Sequence, residues 1–285
     1  MAAARAPARI MIPGKTMNIL ARGVPGLVVG ASIMCLLAVG STQILRAQDA
    51  SQQQLTKEEI FQKSKAAYGA LTSYSDEGKT VATLNGLTIT HDFSIRLSRP
   101  NLYRIAWEVS YSESAMPKAG PEAVWSAGAG DFLDMGYGKD PEKHKSLEMA
   151  LAGATGISGG AAGTIPAAFF NTEWANPFCC LAKGLVRQAD EKVGDVDCYV
   201  FTGESSSGNT RTVWIGKQDF FIRQIRNVTT AAAMKAGMER AAKMEPSAPD
   251  GPKIELTGST SIETHTNIVV NQKFVEADFV PAARR

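Results

Sequence analysis

The segment Gly156-Ile157-Ser158-Gly159-Gly160 matches the pattern G-x-S-x-G, in which a sharp turn between a strand and a helix exposes a nucleophilic serine. That turn needs a buried strand directly before it. Here the preceding residues are rich in Glu, Met, Ala and Leu, which is typical of a helix, and more glycines follow. The pattern therefore predicts a flexible loop, and we expect no catalytic role for Ser158. The Lys and the Ser or Thr of a phosphate-binding loop are also missing after these glycines.

Three histidines could serve as bases or metal ligands, but they are too few and too scattered for a histidine-rich metal site. His91 precedes an aspartate, and His265 lies two residues after Glu263. Residues two apart in a strand share a face, so Glu263 and His265 can pair. We expect both histidine–carboxylate pairs to be ordinary surface pairs. The sequence thus predicts no enzyme activity, no catalytic residue, no metal site and no cofactor.

The cysteines of the main body could form one disulfide bond. Cys179 and Cys180 are adjacent, and Cys198 follows 18 residues after the second of them. In an oxidising compartment we expect Cys198 to pair with Cys180 or with Cys179, which leaves one free thiol.

Composition places the chain among ordinary folded proteins, because 44% of its 285 residues are hydrophobic and 20% are charged. The charges are uneven along the sequence. Residues 1–47 contain five basic residues and no acidic one, whereas residues 48–285 contain 25 basic and 28 acidic residues, a net charge of −3. A mildly acidic body does not attract a phosphate backbone, so we expect no nucleic-acid partner.

The N-terminus is typical of an export signal. A basic stretch up to Arg22 precedes the apolar residues 24–40 and then a polar segment. We expect residues 1–47 to be a signal peptide, with Met17 as an alternative start that gives a more usual length. Residues 48–285 would then form a periplasmic domain. The alternative is an uncleaved membrane anchor, for which a run of 17 apolar residues is short.

The elements that must position any site follow from periodicity. Thr56-Lys57-Glu58-Glu59 is a capping box that begins a helix with one apolar stripe. Alternating apolar and polar residues then predict antiparallel strands, and Asn85-Gly86 predicts a tight turn between two of them. Predicted strands cover residues 80–84, 87–98, 103–109, 123–126, 131–137, 196–203, 210–215, 220–229 and 254–270; predicted helices cover 140–151, 166–170 and 231–244. This order predicts an α+β fold, a curved antiparallel sheet with helices against one face.

Aromatic and aliphatic residues on the strands allow two interpretations. They can form an ordinary core, or a strongly curved sheet can leave an apolar cavity that takes an acyl chain or a lipidated peptide. Met234 and Met238 share a face of the helix at 231–244, which we expect to be a mobile lid over the mouth of the sheet. The alternative is an ordinary insertion docked on the outer side of the sheet. The expected cavity residues are Phe93, Ile95, Leu97, Tyr103, Ile105, Trp107, Trp125, Trp214, Met234 and Met238.

Several short motifs, taken in order, resemble the LolA/LolB-like superfamily of outer-membrane lipoprotein carriers, most closely an exported branch of it. They are Ser98-Arg99-Pro100-Asn101-Leu102-Tyr103-Arg104 before a Trp-containing strand, Thr212-Val213-Trp214-Ile215, Phe221-Ile222-Arg223-Gln224-Ile225 and Phe279-Val280-Pro281. The resemblance covers about residues 55–281. It implies a half-open β-barrel with helices against its concave face, which holds acyl chains and carries out no catalysis.

These observations lead to one expected function and one alternative. We expect a monomeric periplasmic carrier that binds a lipid or an acylated protein non-covalently, with inner- or outer-membrane transport components as further partners. The alternative is an exported or membrane-anchored interaction or scaffold protein with a filled core and no cargo.

Overall fold

The computed structural model describes residues 55–113, 120–172, 177, 184–204, 209–244 and 257–281. The expected signal peptide and the two adjacent cysteines, Cys179 and Cys180, lie outside these residues. Within them, the helices are α1 (Lys57–Gly69), α2 (Leu147–Thr155), α3 (Thr164–Phe170) and α4 (Ala231–Met244). The strands are β1 (Ser73–Leu84), β2 (Leu87–Ser98), β3 (Leu102–Tyr111), β4 (Glu122–Ser126), β5 (Asp131–Asp134), β6 (Glu142–His144), β7 (Val186–Arg187), β8 (Glu191–Val193), β9 (Val196–Glu204), β10 (Asn209–Gly216), β11 (Ile222–Thr229) and β12 (Ser259–Val270).

The twelve described strands form one antiparallel sheet in the order β6-β5-β4-β3-β2-β1-β12-β11-β10-β9-β7, with β8 also paired to β9. Neighbouring strands are consecutive in the chain with two exceptions. At the edge β9 pairs with β7, and at the centre the first strand, β1, pairs with the last, β12. That central pairing extends from Tyr74 opposite Val270 to Leu84 opposite Ser259. The sheet is strongly curved and does not close, so the α+β half-open barrel predicted from the sequence is confirmed.

Three helices pack against the concave face of the sheet. The capping box that begins α1 is present, since Glu59 N–H donates to Thr56 Oγ1 (3.2 Å) and Thr56 N–H donates to a Glu59 carboxylate oxygen (2.8 Å). Ile60, Phe61 and Tyr68 of α1 join the apolar core, as do Leu151 of α2 and Phe169 of α3. The apolar stripe predicted for the first helix therefore faces the sheet.

The C-terminal residues cross the opposite, outer face. Asn271 N–H donates to the Ser73 carbonyl, and a short 3₁₀ helix, Glu276–Phe279, then packs against β3. Phe279 is fully buried there against the ring of Phe274, at 5.4 Å between centroids. We call residues 271–281 the C-terminal strap.

Most predicted elements are present, with one clear error. The helix predicted for residues 140–151 is wrong in its first half, because Glu142–His144 instead forms β6 at the edge of the sheet, opposite β5. The helix begins only at Leu147, after Ser146, whose hydroxyl accepts the Met149 N–H. The short strands β7 and β8 and the 3₁₀ helix were not predicted. No helix among the described residues is long and apolar enough to span a membrane.

Candidate functional site

The inner face of the sheet has two halves of different character. In the first, which we call the closed half, inward side chains of β1 to β3 and β9 to β11 are buried against α1, α2 and α3. Tyr74, Ile95, Leu97, Tyr103 and Ile105 have no exposed surface there. This half is a packed core, because close packing leaves no room for a ligand among such side chains.

A buried polar layer borders the closed half, and it consists of Tyr74, Asp76, Glu263 and His265. His265 Nδ1 lies 2.7 Å from Asp76 Oδ2, and its Nε2 lies 3.0 Å from Glu263 Oε1. Tyr74 donates its hydroxyl to the same Asp76 oxygen at 2.7 Å. Since each ring nitrogen faces a carboxylate oxygen, both can donate only when the ring carries two protons.

The two carboxylates favour that doubly protonated ring. Burial on its own lowers the pKa of His265, but the charge of Asp76 and the hydrogen bonds to Asp76 and Glu263 outweigh it and raise the pKa to about 10. Burial, followed by the charge of Asp76, also raises the pKa of Tyr74 well above its ordinary value. The layer is therefore a charged network inside the barrel at neutral pH.

This network corrects the expectation of surface pairs. Glu263 and His265 are only 5% and 2% exposed, and His91 is 8% exposed. The physical reason is the position of β12, which lies at the centre of the sheet between β1 and β11. A strand in that position buries its inward face, and the partner Asp76 lies 189 residues earlier in the chain.

The glycine-rich segment 156–163 packs onto this interior and is not a flexible loop. Gly159 has a φ of +65°, and a Cβ there would lie 2.7 Å from His91 Nδ1. Gly160 has a φ of +110°, and its Cβ would lie 2.7 Å from a Glu263 carboxylate oxygen. Only glycine fits both the positive φ and the close approach at these two positions, which explains Gly159 and Gly160.

Ser158 has a structural place in the same segment. It is fully buried, its hydroxyl donates to the Thr155 carbonyl, and it accepts the N–H of Ala162. The hydroxyl thus closes the turn that follows α2. This arrangement differs from an exposed nucleophile on a strand-to-helix turn.

The second half of the inner face, which we call the open half, lies beyond the polar layer. Its inward side chains stay partly exposed. Along β1 to β3 they are apolar. Leu84 pairs across the strands with Leu87, Ile89 pairs with Tyr111, and Val109 points inward from β3 beside Tyr111. Along β10 to β12 they are polar and include Arg211, Asn227 and Ser261. The open half thus has one apolar wall and one polar wall.

Arg211 is the charged group of the polar wall. Its Nε donates to Asn227 Oδ1 at 2.6 Å, and Asn227 in turn donates to Ser261 Oγ at 3.5 Å. Burial lowers the pKa of Arg211, and the charge of Glu263 opposes that shift. The guanidinium is therefore held on the inner face by its hydrogen bond to Asn227.

Helix α4 leaves the sheet at the open half. It begins two residues after β11 ends at Thr229, which pairs with Ser259 at the start of β12. None of the other described elements packs extensively against it. Met234 is partly exposed and Met238 is 59% exposed.

The ten residues expected to line a cavity are thus distributed over three places. Six of them lie together in the closed half: Phe93, Ile95, Leu97, Tyr103, Ile105 and Trp107. Trp125 and Trp214 lie on the outer face, where Trp125 stacks on Phe132 and Trp214 joins Cys198 and Val200 in a separate cluster. The two methionines lie on α4.

Cys198 is a free, fully buried thiol in the structure. Its Sγ donates to the Val196 carbonyl at 3.4 Å, and burial raises its pKa to about 11. The pairing of Cys198 with Cys180 or Cys179 stays a prediction for the oxidised protein, because both candidate partners lie outside the described residues.

Comparison with known proteins gives structural matches only. No family model matches the sequence, and no curated protein matches it. Among solved structures, the chain is similar to a DUF1329 family protein from Desulfovibrio piger, at 11% identity over 79% of this chain and 95% of that one, with a TM-score of 0.34. It is also similar to a LolA superfamily protein from Nitrosomonas europaea (12%, 80% and 98%, TM-score 0.32) and to LprF from Mycobacterium bovis (11%, 77% and 94%, TM-score 0.37).

A LolA superfamily protein thus stands among the solved structures to which this chain is similar.

Proposed function

We propose that this chain is a non-catalytic binder of acyl chains, carried by a lipid or by an acylated protein. The observation that supports the proposal is the open half of the inner face. Leu84, Leu87, Ile89, Val109 and Tyr111 point inward and yet remain partly exposed, because α1, α2 and α3 pack on the closed half. An acyl chain on this wall would remove apolar surface from water, at about 25 cal/mol per Å².

Helix α4 is suited to cover such a ligand. It leaves the sheet beside the open half, and its exposed Met238 offers a flexible, polarizable side chain that adapts to variable apolar shapes. The opposite wall, with Arg211 and Asn227, would face the polar end of an amphiphile. In this proposal the closed half supports the fold and the open half holds the cargo.

The test is binding of a fluorescent fatty-acyl probe to the full chain. Ile89→Asp places a carboxylate on the apolar wall and should weaken binding roughly tenfold or more. Val81→Asp is a matched control, because Val81 points to the outer face of the neighbouring strand and is 36% exposed. Equal binding by wild type and I89D, with both variants folded, would reject the open half as the acyl site.

The scaffold alternative is favoured by a different observation, the closed half itself. Six of the expected cavity residues are packed in a core that has no space for cargo. Native mass spectrometry after mild extraction separates the two proposals. A chain that retains lipid supports the carrier, whereas a chain that is always empty and always bound to another protein supports the scaffold.

Export and transfer belong to the same proposal. We infer a periplasmic protein from which residues 1–47 are removed, and which passes its cargo to membrane transport components as a monomer. N-terminal sequencing of the mature protein checks the cleavage. Deleting residues 231–250 checks the lid: the fold should persist and probe binding should be lost.

A further inference from the structure

One cross-strand row of the inner face runs through the open half from a cation to an aromatic ring. Its members pair across six neighbouring strands, from β10 through β11, β12, β1 and β2 to β3. They are, in that order, Arg211, Asn227, Ser261, Ala82, Ile89 and Tyr111. All six stay partly exposed. The row therefore changes along its length from charged, through polar, to apolar, as an amphiphile does.

The cation at one end of this row has donors to spare. Arg211 Nε donates to Asn227 Oδ1 at 2.6 Å, and this is the one hydrogen bond that the guanidinium makes within the described part of the chain. The ion pairs among the described residues do not include Arg211. Because the side chain is partly exposed, the N–H groups on Nη1 and Nη2 can reach a ligand that enters the open half.

Among the described groups, Glu263 is the one carboxylate whose charge acts on Arg211, and it is engaged elsewhere. Its Oε1 lies 3.0 Å from His265 Nε2, and its other oxygen lies against Gly160, where a Cβ would be 2.7 Å away. Glu263 is only 5% exposed, and the imidazolium of His265 offsets its charge. An anion that enters the open half therefore meets a guanidinium that no carboxylate of the described chain contacts.

The length of the row suits an acyl chain. Four strand spacings separate Arg211 from Ile89, which is about 19 Å along the sheet at about 4.8 Å per spacing. Because the sheet curves, the direct distance between the two walls is shorter than this path. An acyl chain extends over about 15 Å in one leaflet of a bilayer, half of a hydrocarbon core of about 30 Å. A head group held at Arg211 would therefore place its chain along Ala82 and Ile89.

The number of charges on the polar wall selects the kind of head group. Arg211 is the only charged inward side chain that β10, β11 and β12 contribute to the open half. The other inward side chains there are Asn209, Asn227, Thr229, Ser259 and Ser261. One guanidinium matches one carboxylate, whose two oxygens can accept from two of its N–H groups at once. A zwitterionic head group would also bring an ammonium, for which this wall has no carboxylate.

We propose that the open half binds a long-chain fatty acid, with its carboxylate on Arg211 and its hydrocarbon tail along the apolar wall. This inference rests on the acyl site proposed above and specifies its ligand. Arg211 then determines which acyl compounds bind, because an acid and its ester make the same contacts through their tails. Asn227 is a positioning residue in this site, since its side chain holds the guanidinium on the inner face.

The test compares two fluorescent probes that share one tail, cis-parinaric acid and its methyl ester, in titrations of the full chain at pH 8. Wild type should bind the acid roughly tenfold tighter than the ester or more, because hydrogen bonds between charged groups are the stronger ones. Arg211→Gln should lose this preference and keep its affinity for the ester, and Arg211→Lys, which keeps the charge, should retain part of it. Arg226→Gln is the matched control, because Arg226 is exposed on the outer face of β11.

The ratio of the two affinities separates this proposal from the acyl site itself. Wild type that binds acid and ester equally, or a folded R211Q that keeps the preference, overturns the carboxylate site and leaves the acyl site standing. Wild type that binds neither probe overturns both. The wild-type ratio needs no variant, so it decides even if R211Q does not fold. Ile89→Asp should weaken both probes alike, and displacement of the bound acid by phosphatidylglycerol but not by palmitate would also overturn the proposal.

Discussion

Replacing His265 with Gln removes the imidazolium that Asp76 and Glu263 share inside the barrel. Both carboxylates would stay buried without their cation, since the Asp76 side chain is 0% exposed and the Glu263 side chain is 6% exposed. Breaking a buried charge network in this way costs about 3–5 kcal/mol of unfolding free energy. We expect a loss of that size at pH 7.

The pH dependence gives an independent magnitude. The pKa of His265 is raised from 6.5 to about 10. A folded-state pKa above the unfolded value contributes stability that is fully present below pH 6.5 and is lost as the pH rises through 10. Each pH unit in this window costs up to about 1.4 kcal/mol, so wild type should lose about 4 kcal/mol between pH 6.5 and 9.5.

The assay is urea unfolding followed by tryptophan fluorescence at several pH values from 6 to 9.5. This range stays below the ordinary pKa of tyrosine, so ionisation of Tyr74 does not contribute. From pH 6.5 to about pH 8, below the range in which the buried Cys198 thiol adds a slope of its own, the H265Q variant should lose the slope, and His144→Gln, on the edge strand β6, should keep it. A flat wild-type profile, or equal costs for H265Q and H144Q, would refute the charged network.

Two further predictions concern the interior and the thiols. Gly159→Ala should destabilise the fold by about 1–3 kcal/mol, because its Cβ meets His91 and its φ is +65°, whereas Gly156→Ala, with open space around its Cβ, should be close to neutral; equal effects in chemical unfolding would contradict this. In protein from an oxidising compartment, non-reducing peptide mapping should find Cys198 joined to Cys180 or Cys179, a link worth roughly 3 kcal/mol, and three free thiols would reject it.

Local patterns predicted the strands and the faces of the sheet well. The alternation at residues 93–97 and 103–107 identified the side chains that are buried in the closed half, because a period of two is a property of the chain itself. The capping box at Thr56 and the turn at Asn85-Gly86 are equally local, and Asn85 has the expected positive φ of 49°. Such features need no knowledge of a distant partner.

The candidate site was harder to predict because its determinants are distant in sequence. Asp76 carries no signal that it will meet His265, and a two-residue spacing of Glu263 and His265 fits a surface pair as well as a buried one. Which half of the inner face is closed depends on where three helices dock. The strand alternation alone therefore predicts a cavity beside side chains of β2 and β3 against which α1, α2 and α3 pack.

The pairing of β1 with β12 has a consequence for how the chain folds. Strands β1 to β6 can form one meander by local hairpins, and β9 to β12 can form another, but the seam between them joins residues about 190 positions apart. Pairings of such long range are slow to form, and they keep the edge of β1 exposed until the last strand has been synthesised. Asp76, Glu263 and His265 lie on this seam, so their network assembles only when the two meanders meet. Protection of these strands from hydrogen exchange should accordingly appear last during refolding.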